Sequence, residues 1–309
     1  MKIIVLSPNA NILFNNNLIN KIKKAGELIL IKKVTPFTKL TKLFSDKDEK
    51  ILAIDPDFVE WKFPNKYIKK ILNLKAICLQ STSFNWIDVN SAKKENIPVT
   101  NLRNWSTQAV VEWILMSTLV LARKIPLVIK EGWNKNFERY KGVELRGKTA
   151  GILGLGNIGT RLAESCEALG MEVIYWSRKS RDKRFRYTSI SNLIKNADFI
   201  YPVLLNNDET RKLLPNSIIS TVKPSSFWVD IYMAQDTHDK EFLIKMVKNG
   251  KLFGYAYEAA PKKFGKHEGN VWEIPESAWP TDGSMKRNAE QWVDSIINAS
   301  KGIYTNRVN

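Results

Sequence analysis

The chain has 309 residues, 44% of them hydrophobic and 26% charged, a balance that suits a globular protein with room for two domains. Its formal charge of +17 comes with no zinc-ligand pattern, basic zipper or aromatic RNA-binding signature, so it reads as a solvated lysine-rich surface that draws in anionic small molecules, not nucleic acid. Cys78 and Cys166 lie among apolar neighbours without disulfide or metal spacing, and Glu112 interrupts the longest apolar run, residues 109–122, so the expectation is a cytoplasmic protein with no membrane partner and no metal.

The opening apolar run is ended by Ser7-Pro8-Asn9 too early for a secretory signal and reads as a first strand over residues 2–6. Helix-like and strand-like segments then alternate: helix 18–24, strands 28–32 and 51–54, helix 67–72, strand 76–80, helix 89–95 and strand 98–101. Such alternation indicates a parallel α/β sheet. A long helix over residues 107–131 leads away. A second series starts at Lys148 and continues with strands at 173–176, 199–204, 227–231 and 253–257, before a final helix over 285–303.

At the head of the second series, an apolar run over 149–153 meets Gly154-Leu155-Gly156-Asn157-Ile158-Gly159 and then an amphipathic segment ending near Gly170. This is a strand, a glycine turn and a helix. The first glycine allows the tight turn, the second lets the backbone approach a pyrophosphate, and the third lets helix pack on strand. The helix N-terminus offers N–H groups to the phosphates. After the next strand an NAD site usually places Asp or Glu, which accepts the ribose 2′-hydroxyl. Here the chain reads Ser177-Arg178-Lys179, with no carboxylate before Asp182 and six basic residues between Arg178 and Arg186. Arginine holds phosphate through paired charge-assisted hydrogen bonds, so NADP(H) is expected over NAD(H).

Two blocks give the chain its resemblance to the D-isomer-specific 2-hydroxyacid dehydrogenases. One runs from Ala76-Ile77-Cys78-Leu79-Gln80-Ser81 through Ile87-Asp88, Ala92-Lys93, Ile97-Pro98-Val99-Thr100-Asn101 and Ala109-Val110-Val111-Glu112 to Ala122-Arg123. The other joins the glycine turn to Thr210, Leu243-Ile244 and Asn249-Gly250-Lys251. The resemblance implies two Rossmann-like or flavodoxin-like doubly wound parallel-sheet domains, the nucleotide domain (102–283) being inserted into a split substrate domain (1–101 and 284–309). It implies a homodimer formed largely by the nucleotide domains and the long helix. It also adds Thr107 to the cofactor contacts and Ser81, Thr82 and Ser83 to the substrate contacts.

In that family an Arg grips the substrate carboxylate, a His exchanges a proton, and a Glu orients the His. This sequence departs at all three. Ala234, or Met233 after a one-residue shift, stands where the Arg belongs; Lys263 falls at the Glu; and the Pro-His near the last strand aligns with Thr281-Asp282. Ser83 replaces a usual Gly. Asp282 becomes the leading candidate for the proton exchanger, with Tyr232 and His267 as further candidates, while His238 at a helix start reads as structural. Trp86, Trp105, Trp228 and Trp279 end segments near the expected substrate site and would suit a bulkier or aromatic substrate, whereas Trp113 and Trp292 read as packing residues. The expectation is an NADP(H)-dependent oxidoreductase acting on a non-standard carbonyl or imine substrate; the alternative is a non-catalytic NADP(H)-binding sensor or scaffold.

Overall fold

In the computed structural model, which describes residues 1–133, 135–205, 207–231, 236–259 and 267–309, the chain divides into two compact units. Unit 1 comprises Met1–Ser106 with Thr281–Asn309; unit 2 is Thr107–Pro280.

Unit 1 holds β1 (Lys2–Leu6), β2 (Glu27–Ile31), β3 (Lys50–Ile54), β4 (Leu74–Leu79) and β5 (Val99–Thr100), in the order β2-β1-β3-β4-β5 and all parallel. This is the flavodoxin-like order. All five residues of β3 are buried, as a strand covered on both faces requires. Leu18 and Ile22 of helix Asn16–Ala25 join Trp292, Val293 and Ile296 of helix Asp282–Ser300 on one face; Phe37, Phe44, Phe63 and Tyr67 fill the other. The Trp292 ring stacks on Phe14 at 5.4 Å and its indole donates to the Cys78 carbonyl at 3.1 Å. The helix expected over 67–72 is absent: Pro64 leads into a short 3-10 turn, Asn65–Tyr67, and too little chain remains before β4 for a regular helix.

Unit 2 holds β6 (Thr149–Leu153), β7 (Glu172–Trp176), β8 (Arg186–Tyr187), β9 (Phe199–Pro202), β10 (Phe227–Val229), β11 (Gly254–Ala259) and β12 (Val271–Pro275). Their order, β12-β11-β10-β9-β6-β7-β8, is a doubly wound parallel sheet with its reversal beside β6. Helices Thr107–Ala122 and Asn157–Ala168 cover one face; Ile190–Asn196 and Lys240–Lys248 cover the other. The long helix expected over 107–131 is two helices, Thr107–Ala122 and Ile125–Lys130. Pro126 cannot donate to the carbonyl of Ala122 and its ring would clash there, so the chain breaks at Lys124, which takes a left-handed φ of 54°. Among the described residues, no helix is long and apolar enough to cross a membrane.

Candidate functional site

The glycine turn follows β6 at the sheet's reversal, and its three glycines meet different surroundings. Gly154 has φ +103°, and a Cβ there would lie 2.9 Å from the Val203 carbonyl oxygen. A Cβ on Gly159 would fall 1.9 Å from the Gly154 oxygen. At Gly156 a Cβ would meet nothing within 4 Å. The first and third glycines are therefore demanded by the fold, whereas Gly156 faces open space where a pyrophosphate could approach. Gly156 also caps helix Asn157–Ala168, whose first turn carries no acidic residue and whose N-terminus, among the described residues, receives no side-chain cap. That end suits an anion.

At the end of β7, Ser177 is buried, while Arg178 and Lys179 are exposed. The six basic residues of this loop are not equivalent. Arg184 is tied to Asp182 at 2.7 Å and Glu164 at 2.8 Å. Arg181 donates to the carbonyls of Ser177 (2.8 Å) and Ser180 (2.9 Å) and lies 3.9 Å over the Tyr187 ring. Arg178 pairs with the exposed Glu209, and Lys179 has no partner among the described residues. Lys183 and Arg186 are likewise exposed without a partner among the described residues, so Arg178 and Lys179 are marked out by their place directly after β7 and not by being the only cations left over. Thr107 opens helix Thr107–Ala122 and is half-buried.

In unit 1 the Ser81–Ser83 loop follows β4. The Ser81 hydroxyl donates to the Ser83 carbonyl at 2.6 Å, Trp86 donates to the same carbonyl at 2.9 Å, and Trp105 donates to the Thr82 hydroxyl at 3.0 Å. Asn101 donates to the Thr82 carbonyl at 2.7 Å, and its buried Oδ1 has no partner. These side chains hold the loop. The backbone N–H groups of Thr82 and Ser83 have no partner among the described residues, so they are the groups that could take a carboxylate. Ser83 keeps a negative φ, so replacing the usual Gly introduces no backbone strain.

Three of the tryptophans read as substrate walls are instead interior. Trp86 and Trp105 pin the Ser81–Ser83 loop, and Trp228, fully buried, donates to Asp230 at 2.7 Å. Trp279 remains 37% exposed. The indoles therefore give little support to a bulky aromatic substrate.

Among the proton-exchanger candidates, Tyr232 lies outside the described residues, as do Met233, Ala234 and Lys263. Asp282 is exposed in the first turn of helix Asp282–Ser300, just after the Thr281 N-cap. There it complements the helix dipole. His267 is half-buried between the Tyr257 hydroxyl (2.9 Å) and Glu273 (3.3 Å). Burial and the Glu273 carboxylate push the Tyr257 hydroxyl well above its ordinary range, so it stays protonated. His238 is fully buried, with Nε2 2.7 Å from Asp230 and Nδ1 3.0 Å from the Thr237 hydroxyl; Tyr255 donates to the same Asp230 at 2.6 Å.

One residue escaped the sequence reading. The last strand is β12, and it ends in Pro275, so the residue following a proline at the end of the last strand is Glu276. Its side chain is exposed and accepts from the Trp279 indole at 3.2 Å. The signal was the Pro275-Glu276 pair, hidden because β12 itself was not anticipated.

Comparison with known proteins agrees with this architecture. Residues 115–278, just over half of the chain, match the model of the D-isomer specific 2-hydroxyacid dehydrogenase NAD binding domain. A Staphylococcus saprophyticus protein assigned as a 2-hydroxyacid dehydrogenase is 30% identical over 198 residues, covering 60% of this chain and 61% of that protein. The chain thus aligns with about three fifths of the length of such relatives. An acyclic imino acid reductase, Bsp5, solved with NADPH and D-Arg, superposes with a TM-score of 0.83 at 24% identity over the whole of both chains. A glyoxylate reductase from Paecilomyes thermophila gives 0.83 at 19% identity, covering 100% of this chain and 98% of the other. At these identities the two structures share the fold.

Proposed function

Because the chain belongs to the D-isomer-specific 2-hydroxyacid dehydrogenase family, we propose that it is an NADP(H)-dependent oxidoreductase that moves a hydride to or from a carbonyl or imine carbon of a small carboxylated substrate. The observation that carries this reading is the open Gly156 turn followed, one strand later, by Ser177, Arg178 and Lys179 in place of a carboxylate. A pyrophosphate would lie against Gly156 and the helix N-terminus formed by Asn157, Ile158 and Gly159, and Arg178 and Lys179 would take a 2′-phosphate. A bound nicotinamide would supply or accept the hydride. A substrate carboxylate would take the N–H groups of Thr82 and Ser83, since no guanidinium stands at position 233 or 234. The imine side of the proposal is supported by the shared fold of an imino acid reductase solved with NADPH.

The test is NADPH oxidation with a panel of 2-keto acids, imines and enoates. Turnover with any class supports the reading. Tight NADPH binding without oxidation across the panel contradicts it and leaves the cofactor-binding sensor.

A further inference from the structure

We propose that Glu276 is the carboxylate that faces the reacting nitrogen and that it makes the substrate a C=N compound, an imine or iminium of a 2-keto acid, in preference to a ketone; this rests on the oxidoreductase reading above. Glu276 is the first residue beyond β12, at the carboxyl edge of the sheet, where open α/β sheets bind their ligands. The basic loop follows β7 on one side of β6, and Glu276 follows β12 on the other. The two stand toward opposite ends of one edge, as recognition of a 2′-phosphate and chemistry at a nicotinamide require.

The backbone beside Glu276 is held stiffly. Glu258, 2% exposed, accepts the N–H groups of both Ser277 (2.7 Å) and Ala278 (2.8 Å) on one carboxylate oxygen. Trp113 donates to the Ser277 hydroxyl at 3.2 Å, and the Trp279 indole orients Glu276 itself. A buried carboxylate committed to two successive amides fixes the turn from which the exposed Glu276 side chain projects.

A carboxylate next to C=N favours its protonated form, and that cation is the form that accepts hydride readily. The substrate carbon gains the hydride as a new C–H bond. The C=N π pair becomes the nitrogen lone pair, and the amine then takes a proton from water and leaves as an ammonium ion. Hydride addition to a ketone would instead build an oxyanion against a carboxylate, with like charges opposed.

The experiment offers pyruvate and phenylpyruvate with NADPH, each with and without ammonium or methylamine, to the wild type, Glu276→Gln and Glu276→Asp. In parallel, calorimetry compares alanine with lactate, and phenylalanine with phenyllactate, as ligands of the NADP⁺-loaded protein. NADPH oxidation is expected to require the amine, to fall about 100-fold in Glu276→Gln and to return in part in Glu276→Asp. The amino acids are expected to bind in preference to the hydroxy acids, a preference that Glu276→Gln erases without altering NADPH affinity. Equal rates with and without amine, or an unaffected Glu276→Gln, overturn the assignment to Glu276 and leave the oxidoreductase reading standing. No NADPH oxidation in any arm overturns both.

Discussion

Gly156 and Gly159 lie three residues apart, yet a methyl group would meet open space at one and a carbonyl oxygen at the other. Gly156→Ala should leave the unfolding midpoint within about 0.5 kcal/mol of wild type, while weakening NADPH binding about tenfold, roughly 1.4 kcal/mol. Gly159→Ala should cost about 1 to 3 kcal/mol of stability, because the Gly154 carbonyl must move. Denaturant unfolding and NADPH titration of the two variants check this contrast. The glycines were legible in the sequence because backbone sterics restrict the residue type at such a turn. The carboxylate proposed to face the substrate nitrogen was not, because its place depends on where the last strand ends. Aligning the Pro-His near the last strand with Thr281-Asp282 placed the candidate at the capped start of a helix in unit 1, whereas Pro275-Glu276 ends β12 in unit 2.

Elements with a continuous apolar pattern were read close to their bounds, as β1, β3 and β6 illustrate. β12 was missed because Val271-Trp272-Glu273-Ile274-Pro275 carries a charge at its centre and a proline at its end, features of an edge strand that weaken the apolar signal. β10 and β11 are tied by Asp230, which accepts from Trp228, Tyr255 and His238 in a fully buried network that no local pattern announces. Burial and the Asp230 carboxylate together keep the Tyr255 hydroxyl protonated. Asp230→Ala should cost about 3 to 5 kcal/mol in denaturant unfolding, since it strands three buried polar partners; a change below 1 kcal/mol, on the scale of a surface substitution, would show the network to be inert. Beyond the helix break, Arg139 and Tyr140 hold the Glu131 carboxyl down to about 2. Its folded pKa is depressed, so its contribution is present above the ordinary carboxylate range and is lost as pH falls toward about 2. Glu131→Gln should therefore be less stable than wild type at neutral pH and converge with it in acid, as unfolding midpoints across pH will reveal.

At the scale of the whole molecule, each unit carries its own parallel sheet with its own strand order, and helix Asp282–Ser300 belongs with unit 1. Each order places its loops at the carboxyl edge of a parallel sheet, which is why one sheet carries the Ser81–Ser83 loop and the other the glycine turn. Exposed Met116 and Leu119 on helix Thr107–Ala122, with Ile129, Trp133 and Phe137 beyond it, support the proposal that unit 2 pairs with a second copy of the chain. Leu119→Glu should then halve the mass seen in sedimentation, and a wild-type protein that sediments as one chain would remove the proposal.

The cofactor assignment bears most of the functional account, and it is tested by titrating the wild type and the Arg178→Ala and Lys179→Ala variants with NADPH and NADH at about 0.15 M salt, where the general surface charge is largely screened. NADPH should bind the wild type more tightly than NADH, and each variant should lose roughly 10- to 100-fold in NADPH affinity alone, the worth of one charge-assisted phosphate contact. Equal affinities, or tighter binding of NADH by the wild type, would contradict it.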